Sequence, residues 1–256
     1  MTRKIKIAYL IVSKSFPGLL KQIEYDRILM KNLKGFQWNN FTFLDAVDKD
    51  DTNSIRLPIF FKGLFSKKLF GWLWLLKNAR NYDYVIMRHM EFDPFSILFA
   101  TFVPNRILVH HSREVEELLL IRNNWQGFLA SYTEKIFGGI AVRTSTALLT
   151  VSRDLIDYQR ESRKLSASFP IFHFPNGIIF ENTPILNDLV NNIEKVEIGF
   201  MAGKFAPWHG LDLLLDNCEK DAKKNFEKKI IFHLIGKLTP DNIKQIKFII
   251  IVFYYT

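Results

Sequence analysis

Four residues of GKFAPWHG, namely Gly203, Lys204, His209 and Gly210, combine side-chain type and spacing in a way suited to holding a phosphate. An apolar run from Ile198 to Ala202 turns at Gly203 and crosses a short basic loop. It restarts at Gly210 with Leu211, Leu214 and Leu215 at helical spacing. A strand that passes through a glycine-containing loop into a helix points backbone N–H groups and the positive end of the helix dipole at an anion. Lys204 and His209 stand at the two ends of that loop, from which both side chains could reach the same phosphate oxygens. The same residues would also make an ordinary strand-to-helix turn with exposed polar groups, a common connection in α/β proteins.

Further candidates sit at the ends of apolar runs. In ILVHHSREVEELLL a buried strand brings two adjacent imidazoles, His110 and His111, to its carboxyl end. Ser112 is placed to cap the next helix, whose first turn is acidic. Carboxyl ends of parallel strands are where α/β sheets place ligands. Successive strand residues face opposite sides, so the two imidazoles serve different surroundings, and a structural histidine is the competing reading for either. Arg88, in YDYVIMRHMEFDPF, ends another strand before a helix opened by Asp93-Pro94; it reads as a ligand-facing or a solvated cation. Gly18, in SKSFPGLLKQIEYDRILMKNL, lies where the first strand enters a helix. There a glycine either lets the backbone approach a ligand or only makes the turn.

The elements that must position these residues alternate from end to end. Strands are expected at Lys4–Val12, Tyr84–Met87, Ile107–His110, Ala147–Val151, Ile171–Phe174, Glu197–Ala202 and Ile230–Ile235. Helical patterns fall between them at Leu20–Leu33, Phe65–Ala79, Phe95–Phe102, Ser112–Ile121, Leu129–Thr144 and Arg153–Glu161. Such alternation predicts parallel sheets of βαβ units. An Asn-rich stretch with a proline reads as a linker over residues 184–194, between a first domain at 1–183 and a second at 195–256. The second segment is short for an independent core and ends in the β-prone FIIIVFYYT, so the chain is expected to stop inside a domain.

The order of these motifs resembles the family-4 retaining glycosyltransferases of the GT-B fold. There a strand ends in Gly-Arg or Gly-Lys, and a Lys-Gly or His-Gly opens the next helix, as Gly203-Lys204 and His209-Gly210 do here. ALLTVSRDLIDYQ resembles the family's last N-domain strand and the helix after it. HFPNGIIFE matches its Pro-Asn-Gly turn, and Gly236 its next strand-end glycine. The resemblance implies an α/β protein of GT-B type: a Rossmann-like N-terminal domain with a parallel sheet and an incomplete second Rossmann-like domain. It implies a nucleotide-sugar donor whose diphosphate is clamped around Gly203, Lys204, His209, Gly210 and Gly236, with no cofactor and no metal. The family's histidine beside the transferring sugar carries over to His111, with His110 as the alternative; Gly18 and Arg88 fall on the acceptor side.

Three departures are visible. Pro17-Gly18-Leu19 replaces a common Gly-Gly, the clamp positions read Lys204 and His209 where Arg and Lys are commoner, and the family's Glu-x7-Glu, which holds sugar and ribose, is missing after Gly236. A literal match at Glu219 and Glu227 precedes the next strand and is taken as coincidence. The chain as written is therefore expected not to catalyse transfer, and a non-catalytic docking module is the alternative function.

Composition fits this reading. Of 256 residues, 48% are hydrophobic and 24% charged, which are globular values. The single cysteine, Cys218, excludes an internal disulfide and suits a reducing, cytoplasmic setting. A net charge of +9 favours polyanionic partners. No arginine-rich or RNP-like signature points to nucleic acid. In FKGLFSKKLFGWLWLLKNAR, Phe65, Leu69, Trp72, Leu73 and Leu76 would face the core, and Phe70 and Trp74 the opposite side among lysines. That second face suits either an anionic membrane surface, at which a glycan or lipid-linked acceptor could be met, or burial on both sides.

Overall fold

The computed structural model describes residues 3–13, 17–31, 33–43, 63–121, 124–176, 195–205, 209–222, 229–237, 243 and 252–253. The chain divides into two compact units, Met1–Thr183 and Pro184–Thr256. The stretch expected as a linker, residues 184–194, lies outside the described residues.

The first unit strings together β1 (Ile5–Val12), α1 (Pro17–Lys31), β2 (Phe36–Phe43), α2 (Leu64–Asn78), β3 (Tyr84–Arg88), α3 (Ser96–Phe99) and β4 (Arg106–His110). It continues through α4 (Glu114–Ile121), α5 (Trp125–Arg143), β5 (Ala147–Thr150), α6 (Asp154–Arg163) and β6 (Ile171–His173). The six strands form one sheet in the order β2-β1-β3-β4-β5-β6, and every neighbouring pair is parallel. Alternation along β1 feeds two cores. Ala8 and Leu10 join Phe43, Trp72, Leu75 and Leu108 on one face, while Tyr9 and Ile11 join Leu19, Ile23 and Val109 on the other. Covered on both faces, β1 reads as an unbroken apolar run from Ile7 to Val12.

Four sequence expectations change. The strand β2 was not foreseen, because FQWNNFTF carries two asparagines at its centre. Asn40 is buried there and accepts a hydrogen bond from Trp38 Nε1 at 2.5 Å. This strand also corrects the aromatic-basic helix. Phe41 and Phe43 meet Trp74 and Phe70, with ring centroids at 4.5 Å for Phe41–Trp74 and 5.4 Å for Phe43–Phe70. Of the two readings open for that face, membrane surface or burial, the structure shows burial against the sheet. The residues that α2 buries are Lys67, Lys68, Gly71, Trp72 and Leu75, while Phe65 and Leu73 stand exposed. Helix α4 begins at Glu114, later than a Ser112 cap would place it. Finally, α5 starts at Trp125 rather than Leu129, because the Asn124 side chain accepts from the amides of Gln126 and Gly127 and caps it there.

In the second unit, β7 (Lys195–Lys204), α7 (Leu211–Ala222), β8 (Lys229–Lys237) and β9 (Val252–Phe253) are described, with parallel strand order β7-β8-β9. Ala202, Phe205, Leu211, Leu215 and Leu234 form its core.

Candidate functional site

In the first unit the chain runs from β1 out to β2 on one side, then returns to β3 on the other. The carboxyl ends of β1 and β3 are therefore the switch point at which open α/β sheets bind ligands. A cavity of about 110 Å³ opens on that side, lined by Tyr9, Asp26, Trp38, Ile86, His111 and Asn176 among others. Tyr9 donates its hydroxyl proton to Asp26 Oδ2 at 3.1 Å, and Gln22 ties α1 to the Pro-Asn-Gly turn through Asn176 at 3.1 Å. Arg88 ends β3 two residues after Ile86, hence on the same face, and its charge is felt at Tyr9 and His111.

The electrostatics of this cavity divide its groups. Burial, then the nearby Arg88 and His110, push the His111 imidazole down to about 3, and its Nε2 has no hydrogen-bond partner. At neutral pH His111 is thus an uncharged hydrogen-bonding group rather than a ready base. Burial raises Asp26 to about 6, against the opposing hydrogen bond from Tyr9. A raised carboxyl favours folding fully below its unfolded value and loses that advantage as pH rises through about 6. Asp26→Asn is therefore expected to stabilise the protein by about 1–3 kcal/mol at pH 8 and hardly at pH 3.5. Urea midpoints at the two pH values check this, and equal shifts at both would show that ionisation of Asp26 is not the cause.

His110, offered as an acceptor-side residue, points the other way. It is fully buried on the opposite face of the sheet, so the structure removes it from the cavity. There its Nδ1–H donates to Glu114 Oε1 at 2.6 Å, Gln159 donates to Glu114 Oε2 at 2.9 Å, and the ring stacks on His89 at 4.5 Å. His89 in turn meets Glu134 Oε1 at 2.8 Å, and Arg163 meets the same carboxylate at 2.5 Å. Glu134 also accepts the Phe92 amide at 2.6 Å. Burial would lower His89, but the Glu134 carboxylate lifts it above its ordinary value. Burial would likewise raise Glu114, yet His110, His89 and Arg163 hold it at about 2. Burial holds His110 below its ordinary value while the Glu134 carboxylate holds His89 above its own, so two carboxylates, one guanidinium and two imidazoles share one buried cluster.

In the second unit β7 leads through Phe205, His209 and Gly210 into α7. Met201 pairs with Ile235 and Lys204 with Lys237, so Ala202 and Gly203 together oppose Gly236 in a bulge. Gly236 has φ +143°, and a Cβ there would lie 1.7 Å from the Ala202 carbonyl oxygen. Gly210 has φ +71° and accepts the Leu214 amide as α7 begins. Phe205 joins the unit's core and stands edge-on to His209 at 6.4 Å.

No family model matches the chain, and no curated protein does. Solved structures do. A Listeria monocytogenes protein described as a UDP-N-acetylglucosamine 2-epimerase is 12% identical, with a TM-score of 0.55 over 100% of this chain and 70% of its own. A UDP-N-acetylglucosamine 2-epimerase from Rickettsia bellii is 13% identical, covering 99% of this chain and 69% of its own, at a TM-score of 0.43. The fold is of the GT-B type.

On this GT-B frame the sequence-derived residues fall in two separate places. His111 and Arg88 lie at the carboxyl edge of the first sheet; Gly18 is the second residue of α1, in the helix that covers the cavity. Gly203, Lys204, His209, Gly210 and Gly236 cluster in the backbone around the β7–α7 connection. Sequence reasoning missed Tyr9, Asp26 and Trp38. Asp26 carried a usable signal, since Leu19, Ile23 and Asp26 share one helical stripe and an acid on such a stripe must be answered by a polar partner. Tyr9 reads as core, and its hydroxyl acquires a role only once α1 lies over β1.

Proposed function

We propose that the chain binds a nucleotide-sugar and is of the family-4 glycosyltransferase type, whose members transfer the sugar with retention to an acceptor hydroxyl of a bacterial surface glycan or glycolipid. The chain as written, which lacks the family's Glu-x7-Glu carboxylates, is expected to bind the donor without completing transfer. The observation that carries this is the β7–α7 connection, with its bulge at Ala202–Gly203, the left-handed Gly210 and Gly236, where a Cβ would meet the Ala202 carbonyl. A diphosphate would lie against the first-turn amides of α7, with Lys204 and His209 at either end of the loop. Those groups would stabilise charge as it develops on the leaving nucleotide. The acceptor hydroxyl belongs to the first unit, where His111 offers a neutral hydrogen-bonding nitrogen beside the Arg88 charge.

The Listeria neighbour favours a second reading, inversion of a centre within the nucleotide-sugar itself, since its description names UDP-N-acetylglucosamine and a 2-epimerase. Calorimetry with UDP- and GDP-sugars, followed by mass analysis of products in deuterium oxide, separates the two. Transfer yields a glycosylated acceptor, whereas epimerisation leaves solvent deuterium on the inverted carbon. Lys204→Ala is expected to weaken donor binding about tenfold, the loss of one charge-assisted contact. Donor binding without turnover is the outcome expected of the chain as written, and absence of binding to any nucleotide-sugar would overturn the proposal and favour the docking module.

A further inference from the structure

The core on the α1 side of the first sheet is not filled out to the sheet edge. Tyr9 pairs with Ile86 across β1 and β3, Val109 with Leu149 across β4 and β5, and strand alternation turns all four toward α1. Tyr9, Ile11, Leu19, Ile23 and Val109 close the inner part of that layer, with Trp38, Ile86 and Leu149 half-buried around it. Packed interiors hold few voids larger than a water molecule, yet here about 110 Å³ stays open. A void of that size at the carboxyl edge of a parallel sheet is a place for a ligand, and its walls decide which kind.

Most polar groups on those walls are already paired. Tyr9 gives its hydroxyl proton to Asp26 Oδ2, Trp38 gives its indole N–H to Asn40, and Gln22 gives an amide proton to Asn176. The Tyr9 and Trp38 rings, tilted against each other at 5.4 Å, thus offer the cavity mainly carbon, as do Val151 and Phe174. Two groups remain: the Asp26 oxygen that Tyr9 does not use, and the buried Nε2 of His111, which has no partner among the described residues. A sugar ring entering here would strip water from several hydroxyls and find partners for one or two. An apolar ring with one hydroxyl loses little, and that hydroxyl, able to donate and to accept, can answer either group. Charge narrows the choice to a neutral molecule. Arg88, whose charge reaches Tyr9 and His111, opposes a cation, and Asp26, ionised above about pH 6, opposes an anion. Size sets a single ring, since an apolar cavity of about 150 Å³ takes one benzene. We propose that this cavity receives the hydroxyl-bearing part of the acceptor as a neutral apolar ring with its one hydroxyl set against Asp26, and that it excludes a bare sugar ring. The inference rests on the reading that the first unit holds the acceptor.

The full chain is titrated at pH 7.5 with phenol, benzene and methyl glucoside as probes, read by saturation-transfer NMR on the probe signals. Phenol is expected to bind at about millimolar strength, benzene about fivefold more weakly, and the glucoside not at all below about 50 mM. Asp26→Asn, which keeps the shape of the wall, should weaken phenol about fivefold and leave benzene unchanged. Val151→Phe, which fills the cavity from a half-buried position, should remove both probes with circular dichroism unchanged; the Asp26→Asn arm holds even if that variant fails to fold. No phenol binding by the unaltered chain, or glucoside binding as tight as that of phenol, overturns the proposal. So does phenol binding that survives in a folded Val151→Phe variant, or an Asp26→Asn change that weakens both rings equally or neither. Nucleotide-sugar calorimetry on the unaltered chain separates the two readings. Donor binding without phenol binding removes this inference alone, whereas phenol binding without donor binding keeps the cavity and removes the transfer reading.

Discussion

Arg163→Met is expected to lower the stability of the first unit by about 3–5 kcal/mol, the cost of leaving a buried carboxylate pair short of a cation. Arg163 is 1% exposed and donates to the Glu134 main chain at 2.6 Å as well as to its carboxylate. Urea unfolding of the full chain reads the loss directly, against a typical total of about 5–15 kcal/mol. Pairing the change with Glu134→Gln should recover part of it, with a coupling of about 0.5–3 kcal/mol, because both act on one contact. The sign of the pH dependence follows from the same cluster. Glu114 and Glu134 titrate below the ordinary carboxylate range, so their contribution is complete above it and fades as pH falls through the folded values, about 2 for Glu114. His89 titrates above its ordinary value, so its contribution is complete below roughly pH 6.5 and fades as pH rises through the folded value. All three act together between roughly pH 5 and 6.5. A shift below about 1 kcal/mol for Arg163→Met would mean that the cluster is solvated and not a buried ion set.

Gly236→Val carries the second large effect, confined to the second unit. The new Cβ would have to displace the Ala202 carbonyl, and φ +143° is a backbone state that a β-branched residue does not share. Strain of about 1–3 kcal/mol for the backbone alone, before the clash, is enough to open a sheet edge next to the bulge. Limited proteolysis should cut the variant within residues 195–256 while residues 1–176 resist, and binding of any nucleotide-sugar should fall more than about tenfold. A variant with intact second-unit resistance and unchanged binding would show that the close approach of β7 and β8 is not required.

Much of the fold was legible because parallel strands buried on both faces leave long apolar runs, and KIKIAYLIV and RILVH need no tertiary information to be recognised. The second strand was not, since its polar centre is satisfied by a contact within the strand, Trp38 to Asn40, that no periodicity displays. That omission also turned α2 the wrong way, because a helical wheel cannot tell a second packed face from a wet one when the strand that covers it is missing. Of the cavity, the strand-end residues His111 and Arg88 were readable from position alone. Tyr9 and Asp26 became partners only when α1 crossed the sheet. The ion cluster was invisible in the same way, for Glu134 and Arg163 stand 29 residues apart on two helices.

One feature of β4 bears on how this chain can change over time. His110 and His111 are consecutive, yet one belongs to a buried ion cluster and the other to an open cavity, with the sheet between them. A substitution at either position disturbs one compartment. An insertion or deletion of a single residue within Arg106–His110 would exchange the compartments, sending the wrong neighbour into each and taking the His110 contact from Glu114. The length of this strand is therefore under tighter constraint than its letters: descendants of this sequence can respell β4 but cannot recount it.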